Sequence, residues 1–490
     1  MAVISGWILI ELLCTVFVIF VGVYIYFRQI LYSYWKKKGV VYLEPTTPTG
    51  NLSKKKKKTH WWELYADAYA EMKNNRYFGM YAFYKPSLVI TEPDLIKFVL
   101  TKEFTHFHDR GLYCNEEIDP LSGHLFLLPG TKWRNLRVKL TPTFTSGKMK
   151  QMFGTVVDCG DKLAQYLKPR AERREVVEFG TDVIMSTAFG ITCNSLEDPN
   201  SEFRHWGRKI FQPMPIRNAL LMFAPKVMDL LSIPFTDKGV TKFFSTAFKE
   251  TVEYREANNV TRPDFMNLII KMLKDMTDGK ITHMEGAAQA YVFFLAGFET
   301  TSTTITYCLY ELARNQDIQD KVMKDIDNAL KKFGGLTYDS IQEMTYLHKV
   351  VSETLRKYPP VPILNRVCTK DIDVPTTNLH VNKGLDIAIP VLGIHMDPEI
   401  YPEPDKFDPE RFNEANISSR HPYTYLPFGE GPRICIGMRF GYSQTKVGLI
   451  SMLSKYRVRL GPNTPVPLEL DPGNIVMTAK GGIELLIELR

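Results

Sequence analysis

The sequence predicts a mainly α-helical protein with a smaller β part, attached to a membrane by one N-terminal helix. Three observations lead to this prediction. The run GWILIELLCTVFVIFVGVYIYF at positions 6–27 is apolar except for Glu11 and is long enough to cross a bilayer. No proline occurs between Pro263 and Pro359, and this stretch has the residue types and spacing of successive helices. After Pro359 the chain changes to short β-like runs separated by prolines.

The length of 490 residues, of which 44% are hydrophobic, is enough for one large folded body. We divide the chain into a membrane anchor at residues 1–28, a basic, proline-containing linker at 29–59, and a large folded domain at 60–490. The prolines and glycine of EPTTPTGN, at 44–51, end helices and make the linker stiff.

Positive charge is concentrated beside the anchor. Residues 28–58 hold nine basic side chains and one acidic one, whereas the whole chain carries only +7. Basic residues follow the apolar run instead of preceding it, which is typical of an uncleaved anchor with its lysine side in the cytosol. The body is therefore close to neutral. The basic segment beside the anchor suits attraction to anionic lipid headgroups, and the neutral body gives little support to nucleic-acid binding.

Seven cysteines occur, an odd number, with no CxxC pair. This pattern argues against a disulfide framework and against a closed zinc site, and it favours reduced thiols.

Several individual elements can be predicted. Residues 87–91 are typical of a strand, and a helix should follow at Pro93. Thr282 and Glu285 fit a capping box at the start of a long core helix that extends to Asn315. The last residues, LELDPGNIVMTAKGGIELLIELR, suggest two strands around a glycine-containing turn.

One cysteine has unusual neighbours, in PFGEGPRICIG at positions 427–437. Gly429 and Gly431 permit close backbone approach, and the run after Gly437 is typical of a helix. A cysteine just before a helix N-terminus is stabilised as thiolate, and one thiolate can hold haem iron. The alternative from the residues alone is a buried, inert cysteine, since free thiols are commonly buried.

The same run resembles the haem-binding signature of the cytochrome P450 superfamily. The fixed positions of that signature correspond to Phe428, Gly429, Gly431, Arg433, Cys435 and Gly437. The resemblance implies the cytochrome P450 fold, with haem b (iron protoporphyrin IX) as cofactor and Cys435 as the axial ligand of the iron.

Further motifs of the family occur in the family's order. Glu353 and Arg356, one helical turn apart, together with Arg411 in PERF, correspond to a structural network that fixes the haem-binding loop. The resemblance also implies four side chains that contact the haem propionates: Trp133, Arg137, Arg366 and Arg433.

The motif AGFETT at 296–301 places polar residues in the core helix. A helical threonine often only bonds back to the carbonyl four residues earlier. In the family, however, such an acid and threonine accompany oxygen activation, so Glu299 and Thr300 are the candidate catalytic pair. Helical spacing and the resemblance add pocket positions that are apolar or aromatic, and Ala296 is small enough to lie against haem. These are Val292, Leu295, Ala296, Phe126, Val361, Leu364 and Val476.

The implied activity is a monooxygenase that inserts one atom of dioxygen into a lipophilic small molecule. No GxGxxG or GxxxxGK[ST] occurs, so electrons from NADPH should arrive through a separate reductase, with cytochrome b5 as a second candidate donor. A basic face for that donor has six candidates after Trp133 and Cys435. They are Arg134, Lys139, Lys148, Lys150, Arg439 and Lys446.

Stretches such as TPTFTSGKMKQMF and YTYLPFGEGPRICIGMRFG look like those of microsomal insect P450s of family six, similar also to vertebrate family three. This implies the endoplasmic reticulum membrane, with the body in the cytosol, and substrates such as xenobiotics, plant toxins, insecticides or endogenous lipids. Residues 202–238, apolar and Met-rich, should form an adaptable roof over the pocket. Two alternatives remain: a P450-fold isomerase or dehydratase acting on peroxides, and a non-catalytic carrier of haem or lipophiles.

Overall fold

The structure is a computed structural model that describes residues 2–52, 60–179, 202–210, 212, 214–262, 264–274, 281–472, 474 and 476–490. It contains two compact units, one formed by residues 1–111 with 363–393, the other by 112–362 with 394–490. Helices dominate the chain and strands form a smaller part, as the sequence predicts.

The first unit is built around a four-stranded sheet of order β1-β2-β7-β4. Strand β2 pairs antiparallel with β1 and parallel with β7, and β4 pairs antiparallel with β7. The predicted strand at 87–91 corresponds to β2, and the predicted helix start at Pro93 is confirmed. The elements are α1 (Ala2–Gln29), α2 (Tyr34–Lys38), α3 (Trp61–Met72), β1 (Tyr77–Ala82), β2 (Lys85–Ile90), α4 (Pro93–Lys97), β4 (Leu364–Val367), β5 (Ile372–Asp373), β6 (His380–Val381) and β7 (Asp386–Ile389).

Helix α1 is sufficiently long and apolar to cross a membrane, and its apolar side chains are exposed. The chain that follows, residues 31–52, packs onto β1, and we call it the strap. Trp35 is fully buried, and its Nε1 donates to the Met80 carbonyl at 3.0 Å. A Cβ on Gly79 would lie only 2.4 Å from the Trp35 ring, so glycine is required there. The described part of the predicted linker is therefore packed against the sheet.

The second unit is mainly helical, and a large apolar cluster surrounds its longest helix, α12. Its elements are α5 (Gly130–Leu140), α6 (Ser146–Glu172), β3 (Val176–Phe179), α7 (Glu202–Ile210), α8 (Pro215–Phe223), α9 (Pro225–Leu230), α10 (Lys238–Ala257), α11 (Phe265–Lys274), α12 (His283–Arg314), α13 (Gln316–Phe333), α14 (Ser340–Glu343), α15 (Thr345–Lys357), α17 (Glu414–Ser419), α18 (Met438–Leu453), β8 (Tyr456–Leu460) and β9 (Ile483–Leu489). Helix α16 (Val391–His395) lies where the chain passes from the first unit to the second.

Helix α12 begins as the sequence predicts. Glu285 N–H donates to Thr282 Oγ1 at 3.1 Å, and Thr282 N–H donates to the Glu285 carboxylate at 2.7 Å. This reciprocal capping box satisfies two backbone donors at the helix start. The helix ends at Arg314, one residue before the predicted end.

The second sheet, of order β3-β9-β8, differs from the prediction for the C-terminus. Strand β9 forms and pairs antiparallel with both neighbours. The other predicted strand, beginning at Leu468, is absent from the described residues, where Leu470 and Ala479 form a single bridge. Pro467 and Pro472, which flank the short run 468–471, explain the difference, because proline has no N–H to donate to a ladder.

Candidate functional site

The loop that carries Cys435 is held by its own backbone. Gly429 and Gly431 have φ values of 71° and 75°, in the left-handed region that glycine tolerates. Gly429 N–H donates to the Leu426 carbonyl at 3.0 Å, and Cys435 N–H donates to the Phe428 carbonyl at 2.9 Å. Helix α18 begins three residues after Cys435, so the thiol lies close to a helix N-terminus.

Cys435 is exposed, which is unusual for a cysteine. Among the described cysteines, the other exposed one is Cys14, which belongs to α1. Cys435 is therefore not a buried cysteine, and its role as a ligand stays a prediction.

Helix α5 brings two of the predicted side chains to this loop. Arg137 Nη1 donates to the Ile434 carbonyl, next to Cys435, at 2.9 Å. Burial lowers the pKa of Arg137, and the nearby Cys435 acts in the opposite direction. Trp133 is buried, and the Arg433 guanidinium carbon lies 4.0 Å from the centre of its ring. Arg433 is also buried, and its Nη2 donates to the Leu128 carbonyl at 2.9 Å.

These residues fit a haem group by their chemistry. An exposed thiol near a helix N-terminus is a suitable ligand for iron. Two guanidinium groups beside it are suitable partners for carboxylate substituents, which they bind by two parallel N–H bonds. Arg366 belongs to the other unit, where it is buried and its Nη1 donates to the Asn365 carbonyl at 2.8 Å. Its predicted contact with a propionate stays a prediction.

The predicted structural network is assembled around Glu353. Arg356 donates to both carboxylate oxygens of Glu353, from Nε at 2.7 Å and from Nη2 at 2.8 Å. Arg411 Nε lies 3.4 Å from Glu353 Oε1. Asp408 N–H also donates to Glu353 Oε1, at 3.1 Å. The buried carboxylate is therefore surrounded by donors, as a buried charge requires.

His395 connects this network to the cysteine loop, and the sequence analysis did not identify it. Arg356 Nη1 donates to the His395 carbonyl at 2.8 Å, and His395 Nδ1 lies 3.0 Å from the Arg356 carbonyl. Leu426 N–H donates to His395 Nε2 at 3.0 Å. Leu426 is the residue before PFGEGPRICIG. No spacing in the sequence signals this role, because His395 and Leu426 are brought together only by tertiary folding.

The two candidate catalytic residues of α12 have different surroundings. Thr300 Oγ1 donates to the Ala296 carbonyl at 2.7 Å, which is the common bond of a helical threonine. Glu299 is buried, with 4% of its surface exposed, whereas Thr300 is half-buried and Ala296 is exposed. Thr300 and Ala296 therefore share one accessible stripe of the helix, as the spacing predicts.

The predicted pocket residues lie in both units, so their common site stays a prediction. In the second unit Val292 is buried, Leu295 is half-buried, and Phe126 is 39% exposed. Val361 and Val476 are half-buried. Leu364 is buried in strand β4 of the first unit.

Lys446 does not belong to a basic surface for an electron donor. It is buried in α18, and its Nζ donates to the carbonyls of Ile341 and Met344 at 2.8 Å and 3.2 Å. The sequence analysis included it because it follows Cys435 as Arg439 does, but it lies on the inner face of α18. Arg134, Lys150 and Arg439 are exposed, and Lys150 pairs with Asp339 at 2.9 Å.

Comparison with known proteins identifies the family of the chain. The family model described as Cytochrome P450 matches residues 44–486. The chain belongs to the cytochrome P450 family, and it is a P450 monooxygenase.

Its relatives include several insect proteins. It is 42% identical to "Probable cytochrome P450 6a14" of Drosophila melanogaster, over 94% of this chain and 96% of that protein. It is 40% identical to "Cytochrome P450 6k1" of Blattella germanica, over 99% and 98%. It is 40% identical to "Cytochrome P450 6A1" of Musca domestica, over 95% of each. Within the family, its similarity is therefore to the insect family-six proteins.

Proposed function

We propose that this chain is a haem-thiolate monooxygenase in which the Cys435 thiolate is the axial ligand of haem b and the substrate is a lipophilic small molecule. The observation that carries the proposal is the exposed Cys435 thiol, which lies before α18 in a loop bonded to Arg137. When bound, the haem supplies oxygen activation, and a cysteine ligand favours O–O cleavage.

The side chains around Cys435 have separate tasks. Arg433 and Arg137 would neutralise the acidic edge of the cofactor, and Trp133 holds Arg433 in place by its ring, 4.0 Å away. The Glu353–Arg356 pair holds the loop from the other side through His395.

On α12, Thr300 and Glu299 would place a hydroxyl and an acid beside the haem, where they would relay protons. Thr300 Oγ1 donates its proton to the Ala296 carbonyl at 2.7 Å. Its oxygen can therefore accept a hydrogen bond from the accessible side of the helix. Glu299 adjoins Thr300 in the sequence and is a buried acid of the same helix.

The electron source we propose is NADPH through a separate reductase, with cytochrome b5 as a second donor. Exposed Arg134 and Arg439 offer positive charge on α5 and α18, the two elements that adjoin the cysteine loop. The body lies on the cytosolic face of the endoplasmic reticulum, anchored by α1.

The expected substrates are foreign lipophiles, including plant toxins and insecticides, or endogenous lipids. The helices α8 and α9 support an apolar entry region, because Ile216 and Leu230 are 77% and 82% exposed. Leu221 and Met228, in contrast, are buried in a cluster with Tyr113. These two helices therefore carry apolar side chains on both sides.

The test of ligation is the absorbance of the reduced protein with carbon monoxide. The wild-type protein should show the Soret shift of thiolate-ligated haem, and Cys435→Ser should lose it. Cys368→Ser is the matched control, because that buried cysteine donates to the Lys370 carbonyl at 3.0 Å, a bond that serine retains. A normal thiolate spectrum in Cys435→Ser would refute the assignment.

The test of activity is turnover of a set of lipophilic compounds with NADPH and reductase, by mass spectrometry of the products. Incorporation of one labelled oxygen atom from dioxygen supports monooxygenation. Conversion of peroxides without reductase would favour an isomerase or dehydratase, and ligand binding without any turnover would favour a carrier.

A further inference from the structure

A buried histidine outside the predicted site is hydrogen-bonded to one end of the cysteine loop. His395 is fully buried, at the end of α16, and its ring stacks on Tyr425 with centroids 5.5 Å apart. Its two ring nitrogens are both within hydrogen-bond distance of backbone groups, Nδ1 of the Arg356 carbonyl and Nε2 of Leu426 N–H, each at 3.0 Å.

These two partners fix the tautomer of the ring. A carbonyl oxygen can only accept, so Nδ1 must carry the proton. An amide N–H can only donate, so Nε2 must present its lone pair. The neutral ring with the proton on Nδ1 satisfies both partners, whereas the doubly protonated ring would direct an N–H at Leu426 N–H. Burial and the charge of Arg356 both disfavour the protonated ring as well.

The connection from this ring to the thiol is short. The ring holds Leu426 N–H, and the carbonyl of the same residue accepts from Gly429 N–H at 3.0 Å. Phe428 lies between Leu426 and Gly429 in the sequence, and its carbonyl accepts from Cys435 N–H at 2.9 Å. Any displacement of Leu426 therefore reaches the backbone of Cys435 through two hydrogen bonds.

We propose that His395 is a positioning residue for the Cys435 thiolate: by holding Leu426 N–H against the Glu353–Arg356 pair, it fixes where the cysteine loop presents its sulfur. The role rests on the proposed function of Cys435 as the iron ligand. Arg356 is bonded to both the carbonyl of His395 and Glu353, so the histidine transmits the rigidity of the buried ion pair to the loop.

Two substitutions separate the two bonds of the ring. In His395→Gln the side-chain oxygen can reach the position of Nε2 and accept from Leu426 N–H. In His395→Asn the shorter side chain reaches only the position of Nδ1, near the Arg356 carbonyl. Loss of the hydrogen bond to Leu426 N–H should lower the ratio of thiolate-ligated haem to haem without a thiolate ligand by about tenfold. This factor is the equilibrium equivalent of one buried hydrogen bond.

Gln319 is a matched control at a remote place. It is fully buried and joins two elements in the same manner, accepting from Val458 N–H and donating to the Val458 carbonyl, both at 2.9 Å. Gln319→Leu should lower stability to urea as His395→Asn does, yet leave the haem ligation unchanged.

The experiment measures three quantities for full-length wild type and the three variants: the thiolate fraction of the reduced carbon monoxide complex, the electron paramagnetic resonance signal of the ferric haem, and the stability to urea. The expected result is a lowered thiolate fraction and an altered ferric signal in His395→Asn alone, with His395→Gln close to wild type. Wild-type ligation in His395→Asn would overturn the proposal, as would equal losses in all three variants.

Hydrogen exchange of the wild-type protein is a second measurement that needs no variant. The Leu426 amide should exchange as slowly as amides in the core of α15, and fast exchange would overturn the proposal. Failure of the proposed function has another signature: the wild type itself would then show no thiolate ligation, whatever the exchange rate at Leu426.

Discussion

Glu353 and Arg356 face each other across one turn of α15 with two parallel hydrogen bonds of 2.7 and 2.8 Å, and neither side chain is exposed. Removal of one partner leaves the other charge buried and uncompensated. We expect Arg356→Leu to lower the free energy of unfolding by about 3–5 kcal/mol. Arg356→Lys should also fail to incorporate haem, because an ammonium group cannot make both bonds. Haem content and urea unfolding measure these effects.

The control for that prediction is an exposed ion pair between an arginine and a glutamate. Arg459 Nε lies 3.0 Å from Glu488 Oε2, and the Arg459 side chain is half exposed. Arg459→Lys should change stability by less than about 1 kcal/mol, the usual range of surface pairs. Equal effects at positions 356 and 459 would show that burial of the Glu353 pair is unimportant.

The Thr300 hydroxyl can be tested separately from its helix. Thr300→Ala should lower product formation by at least about tenfold and release hydrogen peroxide at the expense of NADPH, since the hydroxyl that accepts a hydrogen bond in the proton relay is lost. Thr300→Ser keeps the hydroxyl and should stay coupled. Thr304 makes the same kind of bond one turn later, to the Thr300 carbonyl at 2.7 Å, so Thr304→Ala is the control. Unchanged coupling in Thr300→Ala would refute the relay.

Stability should fall in mild acid because of two buried histidines. Burial lowers the pKa of His124 and of His395 from 6.5 to about 3, and the charge of Arg356 adds to the effect at His395. As the pH falls below 6.5, the unfolded chain binds protons that the folded chain does not. Each histidine then removes up to about 1.4 kcal/mol of stability per pH unit.

Urea unfolding from about pH 7 to about pH 5 measures this slope. The ring of His395 is faced by Arg356, Tyr401 and Tyr425, none of which supplies a carboxylate to hold a proton on it. His124→Gln and His395→Gln should each make the pH dependence shallower, and their combination should do so additively. An unchanged slope in the combined variant would contradict the prediction.

Lys446 and Arg439 lie on the same helix but should behave oppositely. Burial lowers the pKa of Lys446 to about 8, and its Nζ is the donor for two buried carbonyls. Lys446→Met should cost about 1–3 kcal/mol of stability and leave reductase affinity unchanged. Arg439→Glu, at an exposed position, should weaken reductase binding with little effect on stability. Titration of turnover with reductase, together with urea unfolding, distinguishes the two residues. Weaker reductase affinity in Lys446→Met would show that Lys446 does contribute to the docking surface.

Local sequence signals predicted those parts of the structure that local forces determine. The capping box of Thr282 and the charge pair of α15 depend on residues three apart, so their geometry follows from helical spacing. His395 could not be found in this way, because its partners lie 39 and 31 positions away. Lys446 was misplaced for a related reason: charge suggests a surface position, and only the packing of α14 against α18 shows the buried carbonyls.

The packing of Trp35 beside Gly79 also determines where this chain can be shortened. A soluble form that begins at His60 loses the strap and uncovers the surface of β1 that Trp35, Tyr32 and Leu43 bury. A form that begins near Leu31 removes only the exposed apolar helix and keeps that surface covered. For this protein, the end of the apolar helix and the beginning of the folded body are therefore separated by only a few residues.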